Sequence, residues 1–181
     1  GAPAPTGAVQ VSDNGLALPA VSLGNGGIAV LEIENLGAGP HSLVARYTPD
    51  AAGASRYLAS PDSSPVVVTI AQATAGVSVT GGTFTYSGAQ RPASGFAYGV
   101  GGVTDVLSPA VSLSYAGTGS TTYGPSPAAP ADAGTYLVTA SFAGNANYAP
   151  ASGTTALTIT KAVAGVSVTG GTFTYSGAQR P

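Results

Sequence analysis

Residues that carry most enzyme and metal chemistry are rare in this chain and stand far apart. His41 is the single histidine and cysteine is absent, so one chain cannot build a histidine-based triad or a metal site with several histidine or cysteine ligands. Beside Gly39-Pro40 at a strand start, His41 is expected to be a structural turn or capping residue. Glu32 and Glu34 are expected on the solvent face of one strand, whereas a glycosidase needs two carboxylates converging in a cleft. The sequence therefore predicts no catalytic residue and no enzyme activity.

Four aspartates in loops are the remaining candidates for metal ligands. Calcium loops place several acidic oxygens a few residues apart around a glycine, and no such D-x-D-x-D spacing occurs in this sequence. We therefore expect no cofactor and no metal site, and calcium is the one ion that the loops leave open. The four residues are Asp50, Asp62, Asp105 and Asp132.

Tyrosines are the main aromatic residues, with nine against four phenylalanines. One group falls at strand positions or corners, where a ring packs inside while its hydroxyl bonds the backbone; it comprises Tyr47, Tyr86, Tyr136 and Tyr148. A second group flanks glycine-rich loops and comprises Tyr98, Tyr115 and Tyr123. Exposed rings at those places would stack on sugars, which is a glycan-binding interpretation; ordinary packing in the core or loops is the alternative.

The composition excludes several classes of partner. Only 7% of the residues are charged, with five Lys and Arg and a net charge of −2, so neither nucleic acid nor an anionic membrane surface has a basic patch to bind. No apolar run approaches the length of a transmembrane helix, and we expect no membrane insertion. Glycine, alanine, serine, threonine and valine dominate, which is typical of an all-β protein with many turns.

One stretch occurs twice. Residues 75–92 and residues 164–181 both read AGVSVTGGTFTYSGAQRP, an offset of 89 positions. Perfect identity over 18 residues indicates duplication of a whole module, of which this stretch would be the opening hairpin. The chain is therefore interpreted as a window onto a longer tandem array.

Period-two alternation of apolar and polar residues predicts the strands. In the first part the inward positions are Val9 and Val11, then Ala29, Leu31 and Ile33, then Leu43, Ala45 and Tyr47, and finally Val66, Val68 and Ile70. Turn residues such as Asp13-Asn14-Gly15 separate these runs. The most regular run is 135–142, with Tyr136, Val138, Ala140 and Phe142 on one face. Short strands with regular turns and no significant helix predict tandem small β-sandwiches.

The first part resembles bacterial immunoglobulin-like repeats of large surface proteins, over about residues 5–71. The resemblance is carried by T-G-A-V-Q-V, N-G-G-I-A-V-L, G-A-G-P-H-S-L-V-A-R-Y and P-V-V-V-T-I, in that order. Repeats of that family carry one or two further strands at the start. The predicted first domain, residues 1–72, therefore lacks its first strands.

The second part resembles the MBG domains of bacterial extracellular proteins, which are related to the YDG repeats, over about residues 73–161. The motifs are T-F-T-Y-S-G-A, A-D-A-G-T-Y-L-V-T-A-S-F, G-N-A-N-Y and A-L-T-I-T-K-A. Residues 162–181 would then be the opening segment of a second MBG-type repeat. The resemblance implies tandem arrangement in adhesins and secreted filaments, without catalysis.

The two incomplete ends suggest how chains associate. A short segment carrying Val166, Val168, Phe173 and Tyr175 buries too little apolar area to fold alone, so it is expected to dock on its neighbour or on another chain. The first domain would offer the complementary open sheet edge. A head-to-tail contact of this kind propagates into a fibre unless its rotation closes it; a covalent tandem array is the alternative.

The function predicted from the sequence is structural. We expect a non-catalytic repeat segment of a large secreted bacterial adhesin or extracellular filament, located outside the cell or on its surface. A host or matrix glycan or protein would then bind at a tip outside this segment. The alternative function is a glycan-binding module that uses Tyr98, Tyr115 or Tyr123.

Overall fold

The computed structural model describes residues 3–177. The first two residues of the Pro-rich opening segment and the last four residues of the duplicated stretch lie outside the described residues. Strands and two single-turn 3₁₀ helices, Gly53–Ser55 and Gly102–Thr104, are the regular elements of the described chain. The prediction of an all-β fold is confirmed.

The first unit, residues 3–72, contains one antiparallel sheet. Its strands are β1 (Gly7–Asp13), β2 (Leu16–Ala17), β3 (Val21–Ser22), β4 (Gly39–Pro49) and β5 (Val66–Ile70). They lie in the order β2-β1-β4-β5, with β3 also paired to β1. Asn14 and Gly15 both have positive φ in the two-residue turn between β1 and β2, so the turn predicted there is confirmed.

The strand expected around residues 29–33 is not formed. Ala29, Leu31 and Ile33 are half-buried while their neighbours are exposed, as the alternation predicted. However, this segment lies over the face of the sheet, where Leu31 and Ile33 line a groove with Val11 and Leu43. A segment lying on a face has no free strand edge beside it for a ladder of hydrogen bonds. The alternation therefore predicted which side chains face inward, but it did not predict that this segment has no strand partner.

The first unit has a weak core. The nine buried apolar residues of the described chain all lie between Ala75 and Ile159. Every residue of β5 is exposed, including Val66, Val68 and Ile70, which the alternation had wrongly placed inward. The first sheet is therefore stabilised mainly by its hydrogen-bonded ladder and by half-buried side chains.

The second module, residues 73–161, is a two-layer structure. Its strands are β6 (Ala73–Thr74), β7 (Gly76–Thr80), β8 (Gly82–Thr85), β9 (Ser94–Tyr98), β10 (Ser112–Gly117), β11 (Gly134–Phe142), β12 (Tyr148–Ala149) and β13 (Ala151–Thr160). A four-stranded sheet of order β10-β11-β13-β8 contacts the two-stranded sheet β7-β9, and β6 pairs with β12. The inward face predicted for β11 is confirmed, since Tyr136, Val138, Ala140 and Phe142 are all buried.

The duplicated stretch is not a hairpin in its first copy. β7 pairs antiparallel with β9, whereas β8 pairs parallel with β13 in the other sheet. The chain changes sheets at Gly81, where it passes so close to β13 that an added Cβ would lie 2.1 Å from the carbonyl oxygen of Ala156. The hairpin prediction was wrong because the glycine pair permits a crossing between layers, and not a tight reversal.

The second copy has a different environment despite its identical sequence. Residues 162–176 carry no strand assignment. Val166 and Val168 are 91% and 89% exposed, whereas the equivalent Val77 and Val79 are half-buried. The strand conformation of this stretch is therefore fixed by the strands it pairs with, and not by its own sequence.

Candidate functional site

His41 ties two strands of the first sheet together. It lies near the start of β4, which is the position expected from the sequence. Its Nδ1 lies 2.7 Å from Asp13 Oδ2 at the end of β1, and its Nε2 lies 2.9 Å from the Gly37 carbonyl oxygen. Both partners accept hydrogen bonds, which favours the doubly protonated, positively charged ring. The hydrogen bond to Asp13, followed by that to Gly37, raises the pKa of His41 above its usual 6.5.

Two of the four loop aspartates accept hydrogen bonds that shape their own loops. Asp50 Oδ1 accepts hydrogen bonds from the Gly53 amide at 2.7 Å and from the Thr6 hydroxyl at 2.8 Å, and these bonds lower the pKa of its carboxyl group. Asp105 Oδ2 accepts from the Gly101 amide at 3.3 Å, while Asp62 and Asp132 are exposed. Among residues 3–177 no three acidic or histidine side chains cluster in a way that could hold a metal ion.

The tyrosines proposed for glycan contact lie in different environments. Tyr115 is only 2% exposed and its hydroxyl accepts a hydrogen bond from the Ala93 amide. Tyr115 therefore has the packing role and not the exposed position that glycan contact needs, because the alternation in β10 points its ring into the core. Tyr98 is half-buried and covers the backbone of Gly76. Tyr123 is also half-buried, and its ring meets Tyr136 edge-on at 5.6 Å.

Tyr123 borders a shallow polar cleft at one end of the module. The cleft has a volume of about 480 Å³ and is lined mainly by hydroxyl-bearing residues, together with Asp132 and Lys161. The Tyr123 hydroxyl donates to the Ala128 carbonyl oxygen at 2.8 Å. At this cleft a candidate glycan-contact tyrosine meets a concave polar surface.

Three of the four tyrosines expected at strand corners bond the backbone as predicted. The hydroxyl of Tyr47 donates to the Thr6 carbonyl oxygen and that of Tyr136 to the Asp132 carbonyl oxygen, both at 2.7 Å. The Tyr148 hydroxyl accepts from the Val100 amide at 3.2 Å. Tyr86 is the exception: it is 43% exposed, because it lies where β8 leaves the sheet.

The joint between the first unit and the second module is hydrogen-bonded. Asn147 Oδ1 accepts from the Ala38 amide at 2.8 Å, and the Asn147 carbonyl oxygen accepts from the Ala73 amide at 2.9 Å. Gln72 Nε2 donates to the carbonyl oxygens of Asn145 and Ala146 at 2.9 and 3.3 Å. The G-N-A-N-Y motif therefore bridges the two parts of the chain.

Asn145 shapes this bridging loop. Its Oδ1 accepts from the backbone amides of Asn147 and Tyr148, both at 3.0 Å, and its Nδ2 donates to the Ser108 carbonyl oxygen at 2.8 Å. A short amide side chain that bonds the backbone two and three residues on is well suited to an irregular turn. The sequence motif pointed to this loop without indicating that it forms a joint.

The last strand of the second module, β13, is a parallel neighbour of β8, the third strand from its beginning. The register pairs β8 with the last four residues of β13, from Gly82 with Leu157 to Thr85 with Thr160. The ladder is extended by the Tyr86 amide, which donates to the Thr160 carbonyl oxygen at 2.8 Å, and by the Thr160 hydroxyl, which donates to the Phe84 carbonyl oxygen at 3.1 Å. Sequence reasoning missed this pairing, because no local pattern encodes which distant strand lies alongside.

The edge strand β5 and the second copy of the duplicated stretch both carry exposed apolar side chains. The outer edge of β5 carries exposed apolar side chains, Val66 and Val67 among them. Val166, Val168, Phe173 and Tyr175, the residues expected to mediate assembly, are also exposed, with Phe173 the least so at 59%.

No family model, no curated protein and no solved structure matches this chain. No helix within residues 3–177 is long and apolar enough to cross a bilayer.

Proposed function

We propose that this chain is a load-bearing structural segment of a secreted bacterial adhesin or extracellular filament. The observation that carries the proposal is the parallel pairing of β8 with β13. β13 is the last strand of the second module, and β8 continues the run of β6 and β7 that begins it. Tension that passes along this run therefore acts on the ladder between β8 and β13.

The direction of that tension matters. The chain passes from β7 into β8 in the same direction as β13, with Gly81 against Ala156 and Val77 against Gly153. Tension would pull the start of β7 one way and the end of β13 the other way, parallel to both strands. The hydrogen bonds of the ladder then bear the load together, whereas peeling would break them one after another.

The joint supports the same role. Modules that are linked by a flexible chain transmit tension but have no fixed orientation relative to each other. In this protein, the hydrogen bonds of Asn147 and Gln72 tie the first unit to the second module. The offset of 89 places Lys161 at the position of Gln72. Lys161 would offer its ammonium group to the carbonyl oxygens of a following G-N-A-N-Y loop, so a similar joint is expected at the next repeat.

The proposal includes membership of the two repeat families, secretion, and a location at the bacterial surface. They are supported by the motifs of the immunoglobulin-like and MBG-type repeats and by the duplication itself. Association of chains by strand complementation is also proposed, since β5 offers an exposed edge and an exposed edge strand is a template for pairing.

Glycan binding is a second candidate function, and the cleft beside Tyr123 favours it. Hydroxyl-rich clefts bordered by an aromatic ring suit sugar rings, which combine an apolar face with hydroxyl groups. A glycan array probed with the native protein and with Tyr123→Ala tests this function. Binding that is lost in the variant supports it, and an array without signals for either protein excludes it for the glycans displayed.

Force measurement on single molecules tests the mechanical proposal. The protein is held at residues 73 and 161, so that force follows the path it would take in a tandem array. An unfolding force of the second module above the force that peels paired strands apart supports the proposal. An unfolding force no greater than the peeling force contradicts it.

A further inference from the structure

The peptide group between Gly37 and Ala38 is hydrogen-bonded on both sides. Its carbonyl oxygen lies 2.9 Å from Nε2 of His41, and its amide donates to Oδ1 of Asn147 at 2.8 Å. A peptide group is planar and rigid, so a rotation that moves the carbonyl oxygen moves the amide as well. His41 in the first unit and Asn147 in the second module are therefore coupled through one rigid group.

This peptide group fixes the end of the segment that precedes β4. Within residues 3–177, the hydrogen bonds of residues 29–38 are the two at this peptide group. Other contacts of the segment come from half-buried side chains such as Leu31 and Ile33, which lie over the sheet. The orientation of the peptide group therefore determines whether the first unit reaches Asn147.

The bond between His41 and Gly37 requires a proton on Nε2, because a carbonyl oxygen only accepts hydrogen bonds. Nδ1 lies 2.7 Å from Asp13 Oδ2, and the two side chains are only 12% and 15% exposed. A neutral ring carries one proton, and the stronger, charge-assisted bond to the carboxylate retains it on Nδ1. Nε2 then presents a lone pair to the Gly37 oxygen, and this contact becomes repulsive.

Asp13 is held in place independently of His41. The neighbouring Asn14 donates its amide to the Ser42 carbonyl oxygen at 3.0 Å, and its Oδ1 accepts from the Ser42 amide at 3.1 Å. β1 and β4 are also joined over seven register pairs. When the ring loses its proton, the Gly37 peptide group is therefore the part that moves.

Asp13 is the charged group that acts on the His41 ring. β5 pairs with β4 on the other side and carries no titratable side chain. Glu34, in the segment before β4, is exposed. Tyr148 is the titratable residue of the facing G-N-A-N-Y loop, and its hydroxyl bonds the Val100 amide. Near neutral pH, the group that titrates in this part of the joint is therefore His41.

The joint has space for movement when the bond to Asn147 is lost. It borders a shallow cavity of about 230 Å³, whose lining includes Leu36, Ala38 and Val100. The bonds of Gln72 and Ala73 lie in the linker itself, where they leave a hinge. The bond from Ala38 is an attachment outside the linker, so it fixes the orientation of the second module.

We propose that the charge of His41 controls the stiffness of the joint between the first unit and the second module. With the charged ring, Ala38 binds Asn147 and the orientation is fixed; with the neutral ring, the second module turns about the linker. The bond to Asp13, followed by that to Gly37, raises the pKa of His41 above 6.5, so the joint is fixed at lower pH and loosens as the pH rises through this higher value. The inference does not depend on the mechanical role.

Nuclear magnetic resonance of the native protein tests the proposal over one pH series. Titration of the His41 ring gives its pKa, and residual dipolar couplings give the orientation of the first sheet relative to the second module. We expect the two parts to align as one body below that pKa and separately above it, with a common midpoint. After correction for the intrinsic rate, exchange of the Ala38 amide should rise about fivefold across the transition, as expected for the loss of one hydrogen bond. An orientation that stays fixed while the ring titrates overturns the proposal.

His41→Gln separates the ring from other titrating groups. Glutamine does not titrate, so the orientation in this variant should be independent of pH over the same window. A transition that persists in His41→Gln overturns the proposal, because another group would then control the joint.

Two variants in the joint test the coupling in the reverse direction. If protonation of His41 strengthens the bond to Asn147, loss of that bond must lower the pKa of His41, since coupling between two sites is reciprocal. Asn147→Ala should therefore lower the pKa of the ring. Gln72→Ala is the matched control and should leave the pKa unchanged, because the bonds of Gln72 do not pass through the Gly37 peptide group. An unchanged pKa in Asn147→Ala, or an equal fall in both variants, overturns the proposal.

Discussion

Gly81 lies against the carbonyl oxygen of Ala156, with room for a hydrogen and not for a methyl group between them. This contact marks the point where the duplicated stretch leaves one sheet and joins the other. Gly170 occupies the same place in the second copy and has no such neighbour. The pair therefore allows one substitution to be compared in two environments within an identical local sequence.

The first prediction uses that pair. Gly81→Ala should destabilise the second module by about 2 kcal/mol or more, as expected for overpacking against backbone, while Gly170→Ala should change stability by less than about 0.5 kcal/mol. Urea denaturation measures both. Similar changes in the free energy of unfolding for the two variants would show that the chain at Gly81 does not pass close to β13.

The second prediction concerns the unequal cores. Because the fully buried apolar residues all belong to the second module, the first sheet should open more readily. Backbone amides in the β1–β4 ladder should exchange with deuterium faster than those in the β11–β13 ladder, measured by mass spectrometry of the native protein. Equal protection of the two ladders would contradict this assignment of the core.

The third prediction follows from His41. Since its pKa is raised in the folded protein, the stabilisation it gives is fully present below its unfolded pKa of about 6.5 and is lost as the pH rises through the higher folded value. The protection of β1 and β4 amides should therefore fall as the pH is raised across this window, after correction for the intrinsic exchange rate.

His41→Gln is the matched variant, because glutamine retains hydrogen-bonding capacity but does not titrate. Its first sheet should lose the pH dependence over the same window. Titration of the His41 ring by NMR gives a direct check, and a pKa at or below 6.5 would be inconsistent with the bonds to Asp13 and Gly37.

The fourth prediction concerns the joint. Asn147→Ala removes the acceptor for the Ala38 amide, and should broaden the distribution of orientations between the first unit and the second module. Asn147→Asp keeps an oxygen at that position and should behave like the native chain. Residual dipolar couplings measure the orientation; no difference between the two variants would argue that the joint is held by other contacts.

Local patterns in the sequence predicted much of the fold. Alternation placed the side chains of β11 correctly, and the Asn14-Gly15 pair predicted the turn between β1 and β2, because both signals depend on neighbouring residues alone. Alternation also predicted the half-buried positions Leu31 and Ile33. It did not predict that their segment lies across a sheet face without a strand partner.

Long-range relationships could not be predicted from the sequence in the same way. The duplicated stretch was expected to be a hairpin, yet its two halves join different sheets, since the partners β9 and β13 lie far along the chain. The same limitation concealed the role of Asn147, whose partner Ala38 is distant in sequence. For Tyr115, proximity to glycine-rich loops left both exposure and core packing open, whereas its place within β10 determines its burial.

The central claim, that the second module bears tension through the β8–β13 ladder, is tested most directly by comparing two pulling geometries. Attachment through Ala73→Cys and Lys161→Cys loads the ladder along the strands. Attachment through Tyr86→Cys and Lys161→Cys pulls the adjacent ends of β8 and β13 apart and opens the ladder bond by bond, since the Tyr86 amide bonds the Thr160 carbonyl oxygen. At equal loading rate we predict a higher unfolding force for the first geometry; an equal or lower force would contradict the proposed function.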